Sequence, residues 1–175
     1  LRPDAASARW VTDTDDLRRL VNARTRLIII CTPNNPTGAR LSDAELEDVC
    51  RIAAHHGAWV LSDEIYRGAE RDGHESPTVW GRYERAIVTS ALSKAYGLPA
   101  LRIGWVVGSP DFTASTWSYH DYTTIAPGAL SDRLARAALA PERRQRLLAR
   151  ARRIGRENFP LLEEGLASQP GAFTR

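Results

Sequence analysis

Short apolar runs alternate with polar, turn-rich stretches along the first two thirds of the chain, and a long amphipathic stretch fills most of the remainder. Leu27 to Cys31 (LIIIC) is a continuous apolar run of strand length, as expected for a strand covered on both faces. Ala58 to Leu61 (AWVL), Ala86 to Thr89 (AIVT) and Ile103 to Val107 (IGWVV) read as three further strands. Between the first two, Ser42-Asp43-Ala44-Glu45 fits a capping box, and Leu46, Val49, Ile52 and Ala53 fall on one helical stripe. Gly57 is placed to end that helix. A shorter helix is expected from Asp13 to Val21, with Thr14 as its cap and Leu17, Leu20 and Val21 at helical spacing. Residues 1–10 show no clear period and read as the tail of another element.

Thr32 to Gly38 (TPNNPTG) and most of Arg67 to Arg85, which contains Gly73 and Pro77, are expected to be loops. Leu130 to Ala140 reads as a helix, Pro141 suits a first-turn position, and Glu142 to Ser168 reads as a long Arg-rich amphipathic helix. The succession of strand, loop, helix and strand predicts an α/β sheet with ligand chemistry at the strand ends.

Composition narrows the class. A length of 175 residues fits one domain, and 43% hydrophobic with 26% charged residues is ordinary globular usage. No apolar run approaches the ~18 residues of a membrane span. Arg2, Asp4 and Arg9 interrupt anything resembling a signal peptide, and two cysteines do not make a disulfide framework. The chain is expected to be soluble and cytoplasmic. It holds no methionine, position 1 included, so it reads as a fragment or a processed chain. Of the 24 Lys plus Arg residues one is a lysine, Lys94, and every other is arginine. Arginine stays protonated, whereas a lysine can present the neutral amine that forms an imine. GC-rich coding produces the same count by chance, so the surroundings of Lys94 carry the weight.

Four features follow the expected strands or open them. Asn34-Asn35-Pro36-Thr37-Gly38 follows the first, Asp63 and Tyr66 follow the second, Ser90 to Lys94 (SALSK) follows the third, and Arg102 opens the fourth. Each has an ordinary explanation by itself: a turn, a helix cap, a core aromatic, a surface cation. Together they match the needs of pyridoxal 5'-phosphate. That cofactor takes a lysine for its aldehyde, an acid beside its pyridine nitrogen, donors to its phenolic oxygen, and a cation with hydroxyls for its phosphate. Lys94, Asp63, Asn35 with Tyr66, and Arg102 with a nearby serine fill those places in turn.

The ordered set NNPTG, SDEIY and SKAYGLPALRIGW resembles the pyridoxal-phosphate-dependent aminotransferases of class I/II, fold type I, over about Leu27 to Val107, with weaker similarity to the end. The resemblance implies a three-layer α/β/α large domain with a mostly parallel sheet, present in part, followed by a long linking helix. Residues 1–141 would form part of the cofactor-binding large domain, and 142–175 the helix leading toward a small domain. It implies that Asn35 and Tyr66 bond the phenolic oxygen, that Asp63 pairs with the pyridine nitrogen, and that Arg102 grips the phosphate. Lys94 would be the Schiff-base lysine and the base that moves the substrate's α-proton. Many relatives place a phosphate-binding serine where this chain has Ala91. Ser93 is the favoured substitute, with Ser90 as the other choice.

The implied activity is transamination between an amino acid and a 2-oxo acid, in a homodimer, with no nucleic acid or membrane partner. The same cofactor residues also serve lyases, cyclases and oxidases, and non-catalytic regulatory domains share the fold. The segment Tyr119 to Pro127 (YHDYTTIAP) resembles a loop near the dimer interface, where His120 or Tyr122 would approach a partner or simply pack. A pI near 9.2 and the Arg-rich stretch Arg143 to Arg156 raise nucleic-acid binding. A net charge of only +3 and the glutamates Glu142, Glu157, Glu163 and Glu164 instead favour a solvated helix face. No residue before Leu27 serves as the phosphate turn or ring-stacking aromatic, and Arg175 lies too early to bind a substrate carboxylate, so the site is expected to be incomplete. The reading requires Lys94 to project into a pocket beside a buried carboxylate and an arginine, and it fails if the Lys94 ammonium stands in solvent well away from Asn35, Asp63 and Arg102.

Overall fold

In the computed structural model, which describes residues 1–4 and 9–169, a four-stranded sheet organises the chain. Its strands are β3 (Leu27–Cys31), β4 (Trp59–Asp63), β5 (Ala86–Ala91) and β6 (Gly104–Val107), hydrogen-bonded in that order. They follow β1 (Arg2–Asp4) and β2 (Arg9–Val11), which form a separate antiparallel hairpin. In the sheet, β3, β4 and β5 run parallel and β6 runs antiparallel to β5. Register pairs Cys31 with Asp63, Asp63 with Thr89, and Ala91 with Gly104. The carboxyl ends of the three parallel strands therefore lie side by side.

The crossover from β3 to β4 is helix α2 (Asp43–His56), preceded by α1 (Thr14–Leu20). The expected capping box is present: the Ser42 hydroxyl accepts from the Glu45 amide, and the Glu45 carboxylate accepts from the Ser42 amide at 2.7 Å. Gly57 closes the helix at φ 65°, a left-handed conformation that glycine adopts without a Cβ penalty. The stripe Leu46, Val49, Ile52 and Ala53 is buried against Ile28, Val60, Ala86 and Val88, one face of the sheet. In α1 the cap is Asp13 rather than Thr14. Asp13 Oδ1 accepts from the Asp16 amide at 2.9 Å, and Thr14 becomes the first helical residue. Both types cap well, so the pattern alone leaves the choice to the chain's entry angle.

Two expectations change. Residues 1–10, read as the tail of a missing element, contribute β1 and the start of β2, strands too short for a visible period, while residues 5–8 lie outside the described residues. The strand β3 is not covered on both faces. Ile28 is buried, but Ile29 is 67% and Leu27 42% exposed. Alternate side chains of a strand point to opposite faces, and α2 covers only one. Helix α3 (Pro110–His120) reaches the other face at its edge, where Phe112 packs on Trp59 with ring centroids 5.5 Å apart. That helix carries no buried residue, so it left no apolar stripe in the sequence. Tyr119 and His120 end it, and 121–128 is the connection that follows.

A second core forms where α4 (Ala129–Leu139) and α5 (Pro141–Ala167) meet the turn after β5: Leu92, Ala95 and Tyr96 pack with Ala135 and Leu148. No helix among the described residues is long and apolar enough to cross a membrane. Ser42→Ala removes a cap that holds the crossover helix, and should lower the free energy of urea unfolding by about 1 kcal/mol.

Candidate active site

The loop after β3 closes on itself. The Asn34 amide donates to the Ala39 carbonyl at 2.8 Å, Gly38 donates back to Asn34, and the Thr37 hydroxyl donates to Asn34 Oδ1 at 2.8 Å. Thr32, fully buried, ties its base: its amide donates to the Asp63 carbonyl at 3.0 Å, and its hydroxyl accepts from the Leu41 amide at 3.1 Å. Asn35 is left at the exposed tip. Its Nδ2 lies 3.1 Å from the Tyr66 hydroxyl.

Asp63 is the last residue of β4, half-buried, and its Oδ1 accepts from the Ile65 amide at 3.1 Å. The next residue, Glu64, is 4% exposed and committed to the fold: Oε1 accepts from the Thr78 hydroxyl at 2.9 Å and the Val79 amide at 3.0 Å. Of the two adjacent carboxylates, Asp63 is thus the one at the strand-end surface.

Lys94 stands in a tight turn whose Gly97 amide donates to the Lys94 carbonyl at 2.9 Å. Its neighbours Leu92, Ala95 and Tyr96 are buried while Lys94 itself is exposed. The turn is bonded directly to the Asp63 loop, with the Ala95 amide donating to the Ile65 carbonyl at 3.3 Å. It is bonded also to the approach of β6, with the Leu92 amide donating to the Ile103 carbonyl at 3.0 Å. Arg102, beside Ile103, is exposed and adopts φ 53°. A non-glycine residue in that region costs about 1–3 kcal/mol, a strain that concentrates at functional sites. Its guanidinium donates to the Pro99 carbonyl at 3.1 Å. The Ser90 hydroxyl is turned to the Glu64 carbonyl at 3.4 Å, whereas half-buried Ser93 immediately precedes Lys94.

Backbone bonds join the Asp63, Lys94 and Arg102 segments, and the Asn35–Tyr66 contact joins the fourth, but the pocket expected around Lys94 is not formed among the described residues: these segments present an open surface. Asn35, Lys94 and Arg102 are exposed, and a cavity of about 250 Å³ lies elsewhere, lined by Glu64, Arg67, Tyr96, Trp105 and Arg144 among others. The buried residues of the Lys94 turn, Leu92, Ala95 and Tyr96, pack into the second core.

Sequence reasoning missed the polar network behind this turn. Arg144 of α5 places Nη2 3.2 Å from both Glu75 oxygens and donates through Nε to the Tyr96 hydroxyl at 3.3 Å. Arg67 and Arg152 approach the same carboxylate at 3.4 and 3.7 Å. Burial pushes the Glu75 carboxyl up, but the Arg144 hydrogen bonds and the charges of Arg144, Arg67 and Arg152 outweigh it and hold the group below its ordinary value. No sequence signal marks this set, because Arg144 of α5 reaches Tyr96 across 48 positions and Glu75 across 69.

Comparison with known proteins gives a consistent answer. The family described as "Aminotransferase class I and II" matches residues 3–170. The chain is 31% identical to capreomycidine synthase of Streptomyces vinaceus over 173 residues, 99% of this chain and 43% of that protein. It is 37% identical to an aromatic amino acid aminotransferase of Rhodococcus opacus (strain B4), over 79% of this chain and 37% of that one. A PLP-dependent aminotransferase from Streptococcus suis 89-1591 superposes with a TM-score of 0.83 at 38% identity, covering 92% of this chain and 42% of that one. The chain thus spans less than half the length of each. Its fold is the large-domain fold of these enzymes: α/β, mostly parallel, with a long C-terminal helix.

Two outcomes follow from the geometry. Tyr66→Phe should cost no more than about 1 kcal/mol in urea unfolding, since the bond it breaks is solvent-exposed. Glu75, with its carboxyl held low, contributes stability that is complete above the unfolded value and is lost as pH falls through the lower folded one. The unfolding free energy should therefore decline below about pH 4, and less steeply in Glu75→Gln.

Proposed function

The chain belongs to the aminotransferase class I and II family, and from that membership we propose that it supplies the central cofactor site of a pyridoxal-phosphate-dependent aminotransferase acting on an amino acid and a 2-oxo acid. One observation supports this above all. The only lysine stands exposed in a turn whose backbone is bonded to the loop that follows the strand-end carboxylate Asp63.

The donor set fits the group. Lys94 would hold the cofactor through its aldehyde, and its amine would be the base that moves the proton at the substrate α-carbon. Asp63 holds a proton on the pyridine nitrogen. Its hydrogen bond from the Ile65 amide orients the carboxylate for that task. Asn35 and Tyr66, already in mutual contact, donate to the phenolic oxygen. Ser93, directly before Lys94, and Arg102 serve the phosphate, since the Ser90 hydroxyl is engaged with the Glu64 carbonyl. When bound, pyridoxal phosphate supplies an electron-withdrawing ring that takes up the electron pair left at the α-carbon.

In this reading residues 1–141 are part of the cofactor-binding domain and 142–175 lead toward a small domain, with 170–175 outside the described residues. A homodimer fits the exposed apolar side chains around α3: Trp117, Tyr119, Tyr122, Ile125 and Leu130 are each more than 60% exposed. A patch of this kind marks an interaction surface. A second reading keeps the cofactor and changes the reaction, because a relative matched over 99% of this chain bears the name of a synthase.

The tests use the full-length protein. Lys94→Ala should abolish the pyridoxyl label that borohydride fixes to the wild type; a label surviving in that variant refutes the assignment. Asp63→Asn should retain cofactor binding and lower kcat by about 10²-fold or more, read in a coupled assay. Keto-acid release that requires an added 2-oxo acid acceptor identifies transamination, and release without one identifies the second reading.

A further inference from the structure

The turn that carries Lys94 is wired on its buried side to α5 through a tyrosine hydroxyl, and the arginine that meets it is held in turn by a single carboxylate. Tyr96, two residues after Lys94, is 6% exposed, and its hydroxyl accepts from Arg144 Nε at 3.3 Å. Arg144 is held by both oxygens of Glu75. Glu75 is also approached by Arg67, the residue after Tyr66, and by Arg152. These two guanidiniums are fixed in turn to backbone: Arg67 Nε donates to the Ser76 carbonyl at 2.7 Å, and Arg152 Nε to the Gly68 carbonyl at 2.8 Å. Apolar packing repeats the connection. Leu148 of α5 lies in the same cluster as Leu92, Ala95 and Tyr96, and sits so close to Gly68 that a Cβ there would stand 2.9 Å from it. Gly97 is equally confined, since a Cβ there would lie 2.6 Å from the Arg150 guanidinium.

We propose that Glu75 is a positioning residue for Lys94: through Arg144 and Tyr96 it fixes the Lys94 turn relative to the Tyr66 loop, and so couples both to helix α5. The proposal rests on the aminotransferase reading for its catalytic consequence, and on the network alone for its structural one. A half-buried carboxylate serving three guanidiniums fits this role. Without it, three like charges repel one another in a partly desolvated space, and the turn loses its fixed distance from the loop. An amine displaced by a fraction of an ångström from its reacting carbon loses rate rather than substrate affinity.

The test makes Glu75→Gln and Tyr96→Phe separately in the full-length enzyme loaded with pyridoxal phosphate. Tyr96→Phe keeps the buried ring and removes only the hydroxyl that Arg144 reaches, so it reports on positioning even where Glu75→Gln folds poorly. Both variants should lose about tenfold in kcat with KM within about threefold of wild type, and should shift the pH midpoint of the cofactor's visible absorption band. A Tyr96→Phe enzyme with wild-type kcat and an unmoved band overturns the proposal, whatever Glu75→Gln does. If the wild-type protein takes up no pyridoxal phosphate, the aminotransferase reading fails separately. Amide hydrogen exchange across residues 92–98 of the cofactor-free protein then decides: faster exchange in both variants supports the linkage, and unchanged exchange overturns it.

Discussion

Three backbone hydrogen bonds at the carboxyl ends of the parallel strands hold this chain's chemistry in place. Thr32 donates to Asp63, Glu64 to Thr89, and Ala95 to Ile65. Parallel pairing aligns the ends of β3, β4 and β5, and these bonds continue the alignment one to four residues into the loops. Because the bonds belong to the backbone, the loops can hold an amide, a carboxylate and an amine without any of those side chains being spent on the fold. The residue committed to packing is the neighbour in each case: Thr32 beneath the first loop, Glu64 beneath the second, and Leu92 with Ala95 beneath the third.

The same division runs through the two cores. The first, between α2 and one sheet face, fixes the strands. The second, between the Lys94 turn and helices α4 and α5, fixes the turn. They meet at the loop that starts with Glu64, and that loop is held by polar bonds: Glu64 to Thr78 and Val79, Glu70 to Gly68 and Ser76, Glu75 to its arginines. A stretch with neither helix nor strand is thereby kept in one conformation, because each of its glutamates closes a short circuit of donors. Arg40 adds an outer tie, binding Asp72 through both nitrogens, and that hydrogen bond holds the Asp72 carboxyl down at about 2.

Much of this was legible in the chain because the forces involved are local. The capping box at Ser42 and Glu45, the left-handed stop at Gly57 and the stripe from Leu46 to Ala53 each depend on residues within one or two helical turns. Of the residues expected at the site, Asn35 and Lys94 follow strands within a few residues, Asp63 ends one and Arg102 precedes one. What escaped was set by partners far along the chain or by weak periods: the β1–β2 pair, the choice of Asp13 over Thr14, and α3, whose residues bury nothing. The expectation that β3 is covered on both faces failed because an apolar run reports what a strand needs, while cover depends on which elements reach it.

The sequence by itself determined the family, the succession of strands along the chain and which residue types follow or precede them, since a lone lysine, a carboxylate and a turn motif are properties of composition and spacing. Tertiary structure decided which of those groups remain available. It buried Glu64 and left Asp63 half-buried, turned Ser90 toward a carbonyl, forced Arg102 into a left-handed backbone and tied Tyr96 to Arg144 across the fold. Spacing cannot carry that information, because the burial and charge of a side chain depend on neighbours that only the folded chain brings within a few ångströms.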